Sequence, residues 1–89
     1  FMNINTDVLK KKIIYRSIYR GTKEMDMLLG SFVKKYINIL KDKELIYLSD
    51  LLKVDDENLY KFNQGQKMHI KIEINNVTEL FRNFVYKVN

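Results

Sequence analysis

The sequence predicts a small all-α bundle of four or five helices, and three observations carry that expectation. The 89 residues include no proline and only three glycines, so little interrupts long regular elements. Apolar residues recur three and four apart in successive stretches, which is the period of a helix with one buried face. Only residues 67–74 follow the two-residue period of a strand, and a single strand has no partner with which to form a sheet. A chain of this mass can bury roughly 65% of its unfolded surface, enough for one modest core, and the whole of 1–89 reads as one domain with residues 1–6 as a flexible tail.

The first helix is expected from Thr6 or Asp7, either of which can cap it, with Leu9, Ile13, Ile14, Ser17 and Ile18 along its apolar side. Gly21 is expected to close it in the left-handed conformation that glycine accepts. Thr22 then caps a second helix, with Glu24 and Asp26 complementing its positive end and Met25, Leu28, Leu29, Phe32, Tyr36, Ile37 and Leu40 on its buried face. Gly30 within it points to close approach by another helix.

After a break at Lys41 to Lys43, Leu45, Leu48, Leu51 and Leu52 mark a third helix. Asp55, Asp56 and Glu57 open a short fourth element carrying Leu59 and Phe62, which Gly65 closes. The acidic trio reads as capping and dipole complementarity, since it lacks the repeated ligands of a calcium loop. In residues 67–74, Met68, Ile70, Ile72 and Ile74 alternate with Lys67, His69, Lys71 and Glu73, expected as an extended connector laid on the bundle. The final helix follows Asn75-Asn76, with Asn76 and Glu79 in capping-box spacing and Val77, Leu80, Phe81, Phe84, Val85 and Val88 as a continuous apolar face.

Composition removes most chemistry. Without cysteine there is no disulfide framework and no thiolate metal site, and with His69 as the single histidine no zinc cluster or Ser-His-Asp triad can be assembled. No catalytic, metal or cofactor-binding set emerges. Neither an eighteen-residue apolar run nor a basic-then-apolar leader is present, so a membrane span and secretory export are not expected.

Residues 1–23 hold six basic side chains against the lone Asp7, which accounts for the whole net charge of +5; the other ten bases and ten acids cancel. Lys12, Arg16 and Arg20 lie four apart on one expected helix face beside Tyr15 and Tyr19, a ridge suited to an anionic partner. Read as a nucleic-acid-binding module, that ridge predicts affinity falling steeply with salt, but no recognisable nucleic-acid signature accompanies it. A growth-regulatory interaction module would use the same surface. The sharper constellation is Arg20-Gly21-x-x-Glu24, where a glycine at a helix corner lets a partner's backbone approach between opposite charges; taken locally, it reads as a cap with an incidental Arg20–Glu24 ion pair.

In its context, Arg20-Gly21-Thr22-Lys23-Glu24-Met25-Asp26-Met27-Leu28-Leu29 resembles the R-G-x-x-E-x-D-x-L-L signature of the SdhE family, the FAD assembly factors of succinate dehydrogenase. Leu51-Leu52 followed by Asp55-Asp56-Glu57-Asn58-Leu59-Tyr60-Lys61-Phe62 is similar to a second family segment, with Glu57, Asn58 and Phe62 standing where the family usually has Pro, Asp and Trp. The likeness extends over about residues 8 to 88. It implies a five-helix bundle that is not an enzyme and carries no cofactor of its own. Such a protein binds the flavoprotein subunit of succinate dehydrogenase, and related fumarate reductases, and promotes covalent attachment of FAD to that partner. The resemblance assigns the contact surface to Arg20, Gly21 and Glu24, with Asp26 and Arg16 beside them, and the compartment to the bacterial cytoplasm or the mitochondrial matrix.

Overall fold

The computed structural model describes residues 5–87. Five helices follow one another as α1 (Thr6–Ile18), α2 (Lys23–Tyr36), α3 (Asp42–Leu51), α4 (Asp56–Gln64) and α5 (Asn76–Arg82), with no β-strand among the described residues. The expected all-α five-helix bundle is what forms. α1 lies across α2 and α3, and α5 packs on α3 and α4.

Each helix starts where a side chain can take up free backbone N–H groups. The Asn5 carboxamide oxygen accepts from the Val8 N–H, so residues 5 and 6 belong to the helix start rather than to a tail; the rest of the expected tail lies outside the described residues. Thr22 caps α2 as expected, its hydroxyl accepting from the Met25 N–H at 3.2 Å. Asp55 caps α4 through the Asn58 N–H. For α5 the cap is Asn75 rather than Asn76, because the box closes reciprocally with Thr78: the Thr78 N–H donates to Asn75 Oδ1 at 2.9 Å and the Asn75 N–H to Thr78 Oγ1 at 2.8 Å.

Several helix ends differ from the periodicity. α1 stops at Ile18, with Tyr19 as its C-cap, and Gly21 does not adopt the left-handed conformation. α2 ends at Tyr36 instead of Leu40: Ile37-Asn38-Ile39 combines β-branched residues with an asparagine, all poor helix formers, and the chain tightens into turns onto the Tyr36 carbonyl. Gly65 does close α4, at φ 69°, with the Gln66 N–H returning to the Lys61 carbonyl. α5 ends at Arg82, so Phe84 and exposed Val85 are not part of a continuous helical face, and Val88 lies outside the described residues.

The core is centred on Phe32, whose ring meets Phe81 edge-on at 5.2 Å, Phe84 at 5.3 Å and Tyr36 at 5.1 Å. Ile13, Leu29, Leu45, Leu48, Leu59 and Val77 close around it, each fully buried. α1 contributes a narrower stripe than its pattern implies: Ile13 and Ser17 are buried while Ile14 and Ile18 are exposed. Ser17 is accommodated because its hydroxyl donates to the Ile14 carbonyl at 2.7 Å. The close approach expected at Gly30 is present, since a Cβ there would meet Ile18 Cγ2 at 3.3 Å.

Residues 66–75, which include the expected connector at 67–74, join α4 to α5 with neither helix nor strand. Met68 and Ile72 pack onto the core, whereas Ile70 and Ile74 remain 45% and 56% exposed. The alternation of four apolar residues therefore splits into an inward and an outward pair, with a bend at residues 69–70 between the inward two.

Two helix starts carry acid-sensitive carboxylates. The Lys41 backbone N–H, together with the Asn76 amide, holds the Glu44 carboxyl below its usual range, and the Asn58 side chain does the same for Asp55. Groups whose folded pKa is depressed stabilise fully above their unfolded pKa, about 4 here, and lose that contribution as pH falls through the folded value. In urea titrations, the advantage of the wild type over Glu44→Gln should be present at about pH 7 and shrink by about pH 3. An advantage indifferent to pH contradicts this account of the caps.

Candidate functional site

The corner between α1 and α2 and the turn between α3 and α4 meet through one side chain. Arg20 donates from Nε to Asp56 Oδ1 at 2.7 Å, from Nη1 to the Leu52 carbonyl at 2.8 Å and from Nη2 to the Val54 carbonyl at 2.7 Å, with a longer bond from Nη1 to the Arg16 carbonyl at 3.3 Å. These are short, charge-assisted bonds, and the planar guanidinium is the group that can serve three acceptors from one position. The Arg20 side chain is only 11% exposed and that of Asp56 25%.

The neighbouring residues of the motif complete the joint. The Gly21 N–H donates to Asp56 Oδ2 at 2.8 Å, so Asp56 takes one bond on each oxygen. A Cβ at Gly21 would stand 3.2 Å from that same oxygen, which explains a glycine here by close approach rather than by backbone conformation. Asp26 reaches back from the first turn of α2 to accept the Arg20 backbone N–H at 2.6 Å. α3 has no basic residue in its last turn, and the Arg20 cation fills that role against the negative end of α3, while Asp56 sits at the positive end of α4.

The expected Arg20–Glu24 pair does not form. Arg20 faces inward to Asp56, and exposed Glu24 makes no ion pair or hydrogen bond among the described residues. The expected Lys12, Arg16 and Arg20 ridge is likewise shortened, because α1 ends before Arg20 and the chain turns it away from the helix face. The exposed basic side chains that remain on α1 are Lys11, Lys12 and Arg16, with the Tyr15 and Tyr19 rings 4.6 Å apart. The structure thus unites Arg20, Gly21 and Asp26 in one bonded unit and leaves Glu24 and the Arg16 side chain outside it.

Asp56 is the residue that sequence reasoning missed. Two adjacent acids stand at the start of α4, Asp55 as its cap and Asp56 as its first residue, and the carboxylate not used in capping was the available signal that a basic partner stood elsewhere. Asn63 was also missed: buried at the end of α4, its amide donates to the Phe81 and Phe84 carbonyls at 2.8 and 2.9 Å and pins the chain after α5. Among the described residues no group of three or more His, Asp and Glu side chains forms a metal cluster, and no helix is long and apolar enough to cross a membrane.

The two segments joined by Arg20 and Asp56 are the ones whose spacing resembles a known family. A model of the protein family described as flavinator of succinate dehydrogenase matches residues 11–85, nearly the whole chain. The chain belongs to this flavinator family. It is 37% identical over 54 residues to the FAD assembly factor SdhE of Wigglesworthia glossinidia brevipalpis, covering 61% of this chain and 64% of that protein. It is 34% identical over 58 residues to the mitochondrial succinate dehydrogenase assembly factor 2 of Komagataella phaffii, covering 65% of this chain and 30% of that protein. The match therefore spans under two thirds of the length of these relatives. No solved structure matches the chain. In this flavinator-family member the arginine of the motif is a structural tie, and its glutamate makes no polar contact among the described residues.

Arg20→Ala should cost about 2–4 kcal/mol of stability, since it leaves Asp56 and two carbonyls without their cation. Arg20→Lys should recover part of this, because an ammonium lacks the planar fork. Urea unfolding measures both. A loss under about 0.5 kcal/mol, the level of an exposed pair, would refute the structural role.

Proposed function

We propose that this protein is a non-catalytic assembly factor that binds the flavoprotein subunit of succinate dehydrogenase, and of related fumarate reductases, and promotes covalent attachment of FAD to that subunit. The observation that carries the proposal is the family match over residues 11–85, which includes both the Arg20-Gly21-x-x-Glu24 corner and the Asp55-Asp56 turn that supports it. The relatives named above are assembly factors for FAD or for succinate dehydrogenase.

The geometry suits such a role. A factor that promotes chemistry in another protein needs a stiff surface with a differential fit to one arrangement of its partner. The Arg20–Asp56 joint supplies stiffness at the α1–α2 corner, and exposed Gly21 and Glu24 supply a contact that a partner backbone can approach closely. A differential contact of about 1.4 kcal/mol would enrich the competent arrangement tenfold, so a small surface is sufficient. FAD belongs to the partner in this reading, and Arg16 and Asp26 border the contact. The compartment is the one in which the flavoprotein matures, bacterial cytoplasm or mitochondrial matrix.

In-gel flavin fluorescence of the denatured flavoprotein, matured with FAD alone, with the wild-type chain or with Gly21→Arg, tests the proposal. Gly21 is exposed and outside the left-handed region, so the variant should fold with a shift of a few tenths of an ångström at Asp56, which circular dichroism can verify. Covalent flavin should rise about tenfold with the wild type and stay at the FAD-only level with the variant. Equal fluorescence in all three arms would overturn the function; equal fluorescence in the two protein arms would overturn the surface.

A further inference from the structure

The motif's glutamate stands at the mouth of a cleft that the assembly reading does not use. This cleft, about 450 Å³, lies between α2, α4 and the chain after α5, lined by Glu24, Leu28, Tyr60, Gln64, Arg82 and Phe84. We infer that it is a receptor for a cationic side chain, an arginine, presented by the bound partner, with Glu24 as the counter-ion. The identity of the bearer rests on the flavoprotein reading above; the chemistry of the receptor does not.

Charge selects the occupant. Two lining residues carry formal charge, Glu24 and Arg82. Arg82 is already neutralised, with Nη2 at 2.7 and 3.0 Å from the two Glu79 carboxylate oxygens. Among the described residues Glu24 has no such partner, because the nearby cation of its own motif, Arg20, is turned inward and bound to Asp56. The cleft therefore presents one uncompensated negative charge, which favours a cation and disfavours an anion.

The walls fit an arginine better than a bare ammonium. Leu28 and the half-buried Phe84 offer apolar surface for a long aliphatic stem, and Tyr60, 46% exposed, and Tyr86 offer ring faces on which a guanidinium can lie. Gln64 donates from Nε2 to Asn63 Oδ1 at 2.7 Å, which leaves its carbonyl oxygen able to accept from a bound guanidinium. The far wall is held in place rather than loose, since buried Asn63 grips the Phe81 and Phe84 carbonyls. The volume lies within the range in which proteins hold ligand-sized groups.

The test needs no flavoprotein. The ¹⁵N-labelled chain is titrated by NMR with the blocked tripeptide acetyl-Ala-Arg-Ala-amide, with its neutral citrulline counterpart and with its lysine counterpart. Saturable shifts are expected at Leu28, Tyr60, Gln64 and Phe84 for the arginine peptide. Binding should be about fivefold weaker for citrulline and in Glu24→Gln, the factor that corresponds to an exposed ion pair of about 1 kcal/mol. Glu24 is exposed and unbonded, so Glu24→Gln should keep the fold. Lysine binding as tightly as arginine would overturn the guanidinium preference. Absent shifts, shifts centred on α1, or equal binding by Glu24→Gln would overturn the receptor itself. Flavinylation that succeeds while the peptide fails to bind removes only this inference, and binding without flavinylation removes only the flavoprotein as bearer.

Discussion

The position of the α1–α2 corner depends on a guanidinium whose three nitrogens all donate to groups within the bundle. Arg20 closes the negative end of α3 through the Leu52 and Val54 carbonyls and meets Asp56 at the start of α4. Two pieces of chain that are remote in sequence, the α1–α2 corner and the turn between α3 and α4, are thereby held together by charge-assisted bonds in a partly dehydrated setting, where such bonds are stronger than on an open surface. Gly21 and Asp26 follow from the same constraint. The glycine lets its backbone come within bonding distance of Asp56, and the aspartate satisfies the N–H that the corner would otherwise strand.

This joint complements an apolar core of limited size. Phe32 gathers Tyr36, Phe81 and Phe84 into one aromatic cluster, and leucines of α2, α3 and α4 fill the space around it. α5 has only seven residues, too short to persist on its own, so its place is set by buried Phe81 and Val77 and by Asn63, which takes two carbonyls at its end. Hydrophobic burial supplies the cohesion, and two polar devices, Arg20 with Asp56 and Asn63 with the chain after α5, set the geometry at opposite ends of α4. Between them lies the face that carries Glu24 and Tyr60.

The division within the motif has a functional meaning. Arginine and glutamate four residues apart look like a pair, yet one is internal and the other external. Had they paired, the corner would expose a neutral couple and the α3–α4 turn would lack its cation. Their separation gives the bundle a rigid corner and leaves an uncompensated charge beside an aromatic cleft.

Local chemistry made much of this legible. The period of the apolar residues, Thr22 and Asp55 as caps, Gly65 as a left-handed stop and Gly30 as a contact point depend on neighbours within a turn or on bulk alone, and each could be read from the chain. The ends of α1, α2 and α5 could not, because they depend on contacts between segments: Arg20 turns inward to Asp56 after α1, and Ile39 and Val85 find no buried space beyond α2 and α5. The partner of Arg20 was hidden for the same reason: Glu24 is near in sequence, but Asp56, 36 residues away, is near in space and offers its carboxylate where two helix ends converge. By itself the sequence determined the helical class, the caps at Thr22 and Asp55 and the family motifs, all governed by short-range geometry. The tertiary structure alone decided which motif charges are spent internally and which face outward, since that depends on distances between segments that only packing brings together.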